Sequence, residues 1–196
     1  MTEIVRDGYR ELGETFDGWR DRIVGDPRAD WRDLLASKLE PGARILELGC
    51  GNGDDARALA LHGFHVTGVD LVDRAQGVRV LEADFLELRL PEASYDAVAA
   101  FYVFNHVPRQ RLAPLLASIR GWLTPSGLLL AAFGTTDLAA WTGKWLGTTM
   151  FFSSFPPETN VRIVHDAGFA LLRDELVTFE EPEGEVTFQW VLARSI

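Results

Sequence analysis

The sequence predicts an α/β domain built on a doubly wound, mostly parallel sheet. Short apolar runs of strand length alternate with helical segments as far as residue 133, which is typical of parallel strands joined by crossovers. Glycines stand at positions 49, 51 and 53, directly after the first of these runs. The second run ends in a carboxylate, Asp70, seventeen residues after the last of the three glycines. These three observations together indicate an open α/β sheet with a ligand site at the carboxyl ends of its strands.

Each element of this part has its own signal in the chain. Asp30 can cap a helix whose apolar side chains recur on one face, and Pro41 with Gly42 ends it. Asp54 or Asp55 begins the next helix. The predicted strands are residues 43–48, 64–69, 78–82, 95–101 and 128–133, and the predicted helices lie within 31–39, 54–61 and 109–123.

The rest of the chain is predicted to close the sheet. Residues 134–156 are aromatic without a clear period, and we expect an irregular insertion. A helix over 157–167 ends at Gly168, and residues 169–179 and 186–194 flank a turn as a β-hairpin. The chain is thus expected to be one domain, 1–196, with N-terminal helices in 1–40, a core in 43–133, an aromatic lid in 134–156, and a last helix and hairpin in 157–196.

Composition excludes several classes of function. The chain has 196 residues, 47% of them hydrophobic, with a net charge of −10 that opposes binding to phosphate backbones. We expect no nucleic-acid partner and no membrane partner, because no apolar run reaches the length of a membrane span. Cys50 is the only cysteine, so no internal disulfide can form. A cytoplasmic location is the default expectation, since the first residues are polar and charged.

The glycine turn carries the strongest functional signal. A strand, a glycine turn, a helix and a strand ending in an acid form a site for an adenosine-containing ligand. A dinucleotide motif would need a third glycine at position 54, where this chain has Asp54. Asp54 and Asp55 would repel a pyrophosphate but suit a ligand with an ammonium and a sulfonium. The alternative is that both acids only cap the helix.

In these motifs the chain resembles the class I S-adenosylmethionine-dependent methyltransferases. The resemblance is carried, in the order of that family, by the segments Glu47-Leu-Gly-Cys-Gly-Asn-Gly53, Val69-Asp70, Glu82-Ala-Asp84-Phe85, Tyr95-Asp-Ala-Val98 and Trp122-Leu-Thr-Pro-Ser-Gly127. It implies a Rossmann-like sheet of seven strands in the order 3-2-1-4-5-7-6, with strand seven antiparallel. It also implies S-adenosylmethionine as the cofactor, S-adenosylhomocysteine as its product, and no metal.

The resemblance further assigns roles to individual residues. Asp70 would bind the ribose hydroxyls, and Leu71 would pack on adenine. Asp84 and Phe85 would hold the adenine edge, and Phe101 would lie beneath the cofactor. The residues implied around the methionyl part and the ribose are Glu47, Gly49, Cys50, Gly51 and Gly53.

One segment departs from the family. Only residues 71–77 separate the second strand from the third, and the family normally carries a full helix there. Seven extended residues reach about 23 Å, enough to return over a strand of about 17 Å without a helix. We predict a loop or a single turn, with the adjoining face either uncovered, covered by the N-terminal helices, or covered by a partner chain.

Methyl transfer from a sulfonium is an in-line displacement that needs positioning more than covalent catalysis. His106, just after the fourth strand, is the candidate general base, and the alternative is a histidine that packs the cofactor floor or caps a helix. The resemblance implies that the insertion and the N-terminal helices form an acceptor lid, and an aromatic wall there suits a small, partly apolar molecule. The candidates for this pocket are Tyr9, Trp19, Trp141, Trp145, Met150 and Phe152.

Several functions fit this pattern. The first is methyl transfer to oxygen, nitrogen or carbon of a small molecule, by a monomer or a homodimer. A second keeps the fold but catalyses a cyclisation or rearrangement without methyl transfer. A third is a non-catalytic protein that binds S-adenosylmethionine. A nicotinamide-dependent dehydrogenase is disfavoured by Asp54.

Overall fold

A computed structural model describes all 196 residues of the chain, numbered 1–196. Three helices precede the first strand, and strands and helices alternate from there to a C-terminal hairpin. The elements in chain order are α1 (Thr2–Leu12), α2 (Glu14–Arg20), α3 (Arg28–Ala36), β1 (Arg44–Leu48), α4 (Asp54–Leu61), β2 (His65–Asp70), β3 (Arg79–Glu82), β4 (Tyr95–Ala100), a 3₁₀ turn (Phe104–His106), α5 (Arg109–Trp122), β5 (Leu123–Gly134), β6 (Leu138–Trp145), β7 (Thr148–Ser154), α6 (Pro157–Asp166), β8 (Phe169–Glu181) and β9 (Gly184–Ser195).

Seven strands form one sheet in the order β3-β2-β1-β4-β5-β9-β8. The pairings from β3 to β5 are parallel, and β9 runs antiparallel to both of its neighbours, β5 and β8. This confirms the predicted order, in which β8 and β9 are the sixth and seventh strands. The order reverses between β1 and β4, so the carboxyl ends of these strands border the crevice where ligands bind in such sheets.

Both faces of the central strands are buried. On one face, Leu46 and Leu48 of β1 belong to an apolar cluster that α5 and α6 complete. On the other face, Ile45 belongs to a second cluster, which includes Trp31 of α3. Alternate residues of a strand point to opposite faces, so a sheet covered by helices on both sides needs apolar residues at successive positions.

The crossover between β2 and β3 has no helix, as predicted. Its exposed side is covered by the N-terminal helices. Leu71 packs against the apolar cluster formed by α1 and β7, and Arg74 forms an ion pair with Asp17 of α2. The face beside the crossover is therefore neither uncovered nor left to a partner chain: the N-terminal helices of the protein cover it in place of the missing helix.

The expectation that residues 134–156 are irregular is wrong. This segment contains β6 and β7, which pair antiparallel as a separate two-stranded sheet. The strands meet at Leu146 and Gly147, whose φ values of 49° and 90° are those a tight hairpin turn requires. The hairpin could not be predicted from the sequence, because β6 is largely exposed and therefore lacks an alternating apolar pattern. Its pairing also shifts register between Leu138 and Trp141.

Some boundaries also differ from the prediction. β5 begins at Leu123 instead of residue 128, because Leu123 already pairs with Tyr95 before a register shift. The C-terminal hairpin continues to a turn at Pro182 and Glu183, whereas the predicted strands stop at residue 179 and resume at residue 186. In both places backbone pairing extends beyond the apolar pattern. No helix combines the length and the hydropathy that crossing a membrane would need.

Candidate functional site

One large cleft lies at the carboxyl ends of β1, β2 and β4. It is lined by 32 residues, 18 of them hydrophobic. The floor comes from the sheet and its loops, and α1, α2 and the β6–β7 hairpin form the roof. A mostly apolar cleft with a few converging polar groups is the usual form of a small-molecule site.

The turn after β1 brings backbone close to the cleft. Gly49 lies against Val103, and a Cβ at this position would be 2.5 Å from a methyl group of that residue. Gly49, Cys50 and Gly51 all line the cleft. Gly53 does not: it has φ 82°, and a Cβ there would meet Ala75 and Val78 of the crossover. Gly53 therefore lets α4 begin against the crossover and lies behind the cleft wall.

Asp70 fixes the shape of this turn. One carboxylate oxygen accepts the Gly51 N–H at 2.8 Å, and the other accepts the Val72 N–H at 3.1 Å. Burial raises the pKa of Asp70, although these N–H groups act in the opposite direction. Asp70 lines the cleft beside Leu71, so its remaining lone pairs can accept hydrogen bonds from a ligand.

Glu47, on β1, is the most unusual polar group of the cleft. Its side chain is 2% exposed, and Oε2 has no hydrogen-bond partner. Burial raises the pKa of Glu47 well above its usual value. The nearby Asp55 and Asp70 carboxylates add to this effect, whereas the charges of Arg28 and Arg32 oppose it. A buried carboxylate without a partner is costly, so this position fits a bound cation.

The two acids at the start of α4 have other partners. Asp54 is paired with Arg20 and Arg57, and Asp55 with Arg28 and Arg32. Neither side chain caps the helix. Both acids instead anchor the N-terminal helices, which corrects the reading of them as helix caps, and their charges are compensated within the protein.

The adenine-side candidates all line the cleft. They are Leu71, Asp84, Phe85 and Phe101. Asp84 accepts the Leu86 N–H at 2.8 Å and the Thr2 hydroxyl at 2.8 Å. Thr2 was not expected from the sequence, since nothing in a polar N-terminus marks it as a neighbour of β3.

His106 lies in the roof end of the cleft with both ring nitrogens engaged. Nδ1 is 2.9 Å from the Phe151 carbonyl oxygen, and Nε2 is 2.8 Å from the Tyr9 hydroxyl. Burial lowers the pKa of His106 to about 4, so the ring is neutral at neutral pH. Burial also raises the pKa of Tyr9, with Asp70 and Glu181 contributing, so Tyr9 keeps its proton.

An aromatic wall surrounds this pair. Phe16 stacks on Trp19 with ring centroids 5.7 Å apart, and Trp19 meets Trp145 at 5.3 Å. Phe152 packs on His106 at 4.9 Å. Of the acceptor-pocket candidates, Tyr9, Trp19, Trp145 and Phe152 line the cleft.

Trp141 and Met150 lie outside the cleft. Trp141 is 40% exposed, and its ring lies across Gly143, where a Cβ would come within 2.4 Å of it. Met150 is fully buried beneath α1, against Gly8. Both residues therefore support the hairpin instead of facing a ligand.

The C-terminal hairpin supplies cleft residues that the sequence did not reveal. Phe179, Val186 and Phe188 line the cleft beside Glu181. Burial and the neighbouring Glu183 and Asp26 raise the pKa of Glu181 to about 7. The only sequence signal was the alternation within the hairpin, which does not tell which face meets the ligand.

Comparison with known proteins agrees with this arrangement. A family model described as a methyltransferase domain matches residues 19–173. A ubiquinone biosynthesis O-methyltransferase from Burkholderia pseudomallei is 29% identical over 170 residues, which cover 74% of this chain and 71% of the relative. A sterol 24-C-methyltransferase from Gibberella zeae is 26% identical over 145 residues, covering 66% of this chain but only 35% of that protein, so the match spans about a third of its length.

Solved structures share the fold. The 1,6-didemethyltoxoflavin-N1-methyltransferase of Burkholderia thailandensis, with bound 1,6-didemethyltoxoflavin and S-adenosylhomocysteine, has a TM-score of 0.78 at 20% identity, covering 97% of this chain and 86% of that one. A (4+2)-cyclase, SpnF, has a TM-score of 0.65 at 18% identity, covering 85% of this chain and 80% of that one. Because the family model matches most of the chain and the sheet has the family's strand order, this chain belongs to the class I S-adenosylmethionine-dependent methyltransferases.

Proposed function

We propose that this protein transfers a methyl group from S-adenosylmethionine to oxygen, nitrogen or carbon of a small, partly apolar molecule. The observation that carries the proposal is the buried Glu47 carboxylate, which has no partner and lines the same cleft as Asp70. The cofactor offers an ammonium and a sulfonium, which suit the unpaired Glu47 carboxylate, and two ribose hydroxyls, which suit the remaining lone pairs of Asp70.

The cofactor, when bound, supplies a methyl group activated by the positive sulfur. Glu47 would hold its cationic part, and Gly49, Cys50 and Gly51 would lie along it through backbone. Asp70 would accept the ribose hydroxyls, while Leu71, Asp84, Phe85 and Phe101 would enclose adenine. All of these residues line the cleft, which supports the assignment; Gly53 would contribute through the position of α4.

The remaining part of the cleft suits the acceptor. Its aromatic wall, formed by Phe16, Trp19, Trp145 and Phe152, belongs to the roof elements α2, β6 and β7, and it would exclude water from the transfer. A roof made of two short helices and a hairpin favours a small molecule over a macromolecular substrate. The contribution of the protein to the reaction would then be mainly to hold the acceptor atom in line with the methyl group.

Calorimetry with S-adenosylmethionine and S-adenosylhomocysteine tests the cofactor, and a panel of phenols and heteroaromatic amines tests the transfer. We expect binding of both ligands, release of S-adenosylhomocysteine, and a product heavier by one methylene group. Failure of the protein to bind either ligand would refute the proposal.

A cyclisation or rearrangement is the second candidate, because the fold is shared with SpnF, a cyclase. The apolar wall of the cleft could also fold a flexible substrate. Product mass separates the two functions: an isomerised product with the mass of its substrate would favour cyclisation.

A further inference from the structure

Three groups in the roof of the cleft form a hydrogen-bonded chain whose proton positions are fixed by chemistry. A carbonyl oxygen can only accept, so Nδ1 of His106 carries the proton that it donates to Phe151. The ring is neutral, so Nε2 has a lone pair and accepts the hydrogen bond that the Tyr9 hydroxyl donates. The chain therefore runs in one direction, from Tyr9 through His106 to the backbone.

We propose that Tyr9 is a catalytic residue, whose hydroxyl accepts a hydrogen bond from the O–H or N–H of the methyl acceptor and passes the proton to His106. His106 acts through Tyr9 and is a positioning residue. The inference rests on the proposed methyl transfer and adds to it the group that meets the acceptor.

His106 itself has no free nitrogen with which to meet the acceptor, because Phe151 and Tyr9 occupy both. Tyr9 donates one hydrogen bond and keeps its oxygen lone pairs. It lines the cleft, with Phe16 at 5.1 Å and Trp145 at 6.4 Å between ring centroids. Neither ring donates a hydrogen bond to the Tyr9 oxygen, because Phe16 has no donor and the indole N–H of Trp145 forms no hydrogen bond to it.

The step balances without a further reactant. The acceptor atom forms a bond to the methyl carbon, and the electron pair of the broken carbon–sulfur bond remains on sulfur. The acceptor's proton moves to the Tyr9 oxygen while the Tyr9 proton moves to Nε2. The resulting imidazolium keeps its Nδ1–H bond to Phe151, and exchange with solvent later returns the neutral ring.

The chemistry of His106 also selects the class of acceptor. Because the pKa of His106 is about 4, it cannot remove a proton from a free phenol, whose pKa is about 10, before methyl transfer. The proton leaves during or after bond formation, when the alkylated atom has become a strong acid. A phenolic hydroxyl or a ring N–H meets this condition, whereas an aliphatic amine, with a pKa of about 10.4, is protonated and has no lone pair to react.

Nitrogen NMR of the full chain with isotope-labelled histidine tests the hydrogen-bonded chain without any ligand. We expect His106 to show a protonated Nδ1 and an unprotonated, hydrogen-bonded Nε2. In Tyr9→Phe the tautomer should persist, held by Phe151, while the Nε2 signal shifts to that of a nitrogen without a donor. A protonated Nε2 in the wild-type protein would overturn the proposal, whatever the outcome for methyl transfer.

Binding of phenol and of anisole to the protein loaded with S-adenosylhomocysteine tests the contact with the acceptor. Phenol can donate a hydrogen bond and anisole cannot, so Tyr9→Phe should weaken phenol about 2-fold to 12-fold and leave anisole unchanged. Tyr95→Phe, outside the cleft, is the matched control and should change neither. Equal losses for both probes, or no binding of phenol to the wild-type protein, would contradict the proposal.

Steady-state kinetics distinguish a catalytic role of Tyr9 and His106 from a purely structural one. For any phenol that the wild-type protein methylates, Tyr9→Phe and His106→Gln should each lower kcat about 100-fold or more, with KM within about 2-fold. A rise in KM at constant kcat would show that both residues only shape the pocket. Failure of the wild-type protein to bind S-adenosylhomocysteine would instead count against the proposed function.

Discussion

Two carboxylates at the centre of the cleft differ in how the chain satisfies them. Asp70 accepts two backbone N–H groups, which hold it in place and shape the glycine turn. Glu47 is more deeply buried, and one of its oxygens has no partner. The proposed function gives the first carboxylate the ribose hydroxyls of the cofactor and the second its cationic part, which would offset the cost of the buried charge.

Replacing Asp70 with Ala should weaken binding of S-adenosylhomocysteine by about 1.5–3 kcal/mol, because it would remove the charged hydrogen bonds that we propose to the ribose. This corresponds to a loss of about 10-fold to 150-fold in calorimetry. Asp96→Ala is a suitable control, since Asp96 is paired with Arg44 away from the cleft. A dissociation constant that stays the same in Asp70→Ala would remove this residue from the ribose site.

Replacing Glu47 with Gln should change ligand affinity and stability in opposite directions. The affinity for S-adenosylhomocysteine should fall, because the ligand ammonium would lose the charged partner that we propose for it. The pKa of Glu47 is raised in the folded state above its ordinary value of 4.5, so the folded protein holds this proton more tightly than the unfolded chain. Stability of the wild-type protein is then lost as pH rises above 4.5, and Glu47→Gln removes this loss.

Denaturant unfolding at pH 5 and pH 9 measures the effect. Relative to the wild-type protein, Glu47→Gln should gain about 1–3 kcal/mol between the two pH values, the usual cost of a buried polar group without a partner. Glu87→Gln serves as the control, because Arg111 lowers the pKa of this exposed carboxylate. Parallel pH curves for Glu47→Gln and wild type would contradict the prediction.

Gly49, Cys50 and Gly51 could be placed at the cleft from the sequence because they follow the end of β1 directly, and strand ends are fixed by apolar patterning. Gly53, Trp141 and Met150 could not. Whether these residues face the cleft depends on how α4 meets the crossover and on how α1 lies over β7. Both are contacts between segments that are distant in sequence. Local patterns carry no information about which neighbour a side chain meets.

At the scale of elements, the roof depends on the close approach of α1 to β7. Gly8 is where they touch: a Cβ there would be 2.8 Å from the Met150 side chain and 2.9 Å from the Thr149 carbonyl oxygen. The side chain can yield, but the backbone oxygen is held in the hairpin. Absence of a side chain at Gly8 thus sets the distance between helix and hairpin, and with it the position of Tyr9.

The two glycines of the N-terminal helices should therefore respond differently to alanine. Gly8→Ala should destabilise the protein by about 1–3 kcal/mol through overpacking. Gly18→Ala, in α2 with no atom within 4 Å of the added Cβ, should stabilise it by about 0.5–1 kcal/mol through helix propensity. Thermal unfolding of both variants gives the comparison, and stabilisation by both would mean that α1 is not held against β7.

The sheet order was predictable at this scale, whereas the β6–β7 hairpin was not. Five strands alternating with crossovers leave few topologies, and the family resemblance selects one of them. The hairpin turn has Leu146 at a positive φ, a conformation that the sequence signals only when Asn, Asp or Gly occupies it. β6 is mostly exposed, so it has no buried alternating face to mark it as a strand.

At the scale of the whole molecule, charge is distributed unevenly between surface and cleft. The net charge is −10. The arginines that line the cleft are neutralised by acids: Arg20 by Asp54, Arg28 by Asp26 and Asp55, and Arg74 by Asp17. None of the cleft acids Glu47, Asp70 and Glu181 forms an ion pair with an arginine, and burial raises the pKa of each. We therefore expect the acidic net charge of the molecule, together with these acids in their ionised form, to favour a cation at the cleft.

Association rates of the two cofactor forms should therefore depend differently on salt. S-adenosylmethionine carries one net positive charge and S-adenosylhomocysteine carries none, yet they differ in shape by one methyl group only and must pass the same roof. Between low salt and about 0.5 M salt, the association rate of S-adenosylmethionine should fall about 2-fold to 10-fold, as screening removes its attraction to the acidic protein. That of S-adenosylhomocysteine should stay nearly constant.

Stopped-flow fluorescence of the cleft tryptophans, Trp19 and Trp145, measures both association rates. The ratio of the two rates cancels any effect of salt on opening of the roof. A ratio independent of salt would show that the net charge of the molecule does not reach the cleft.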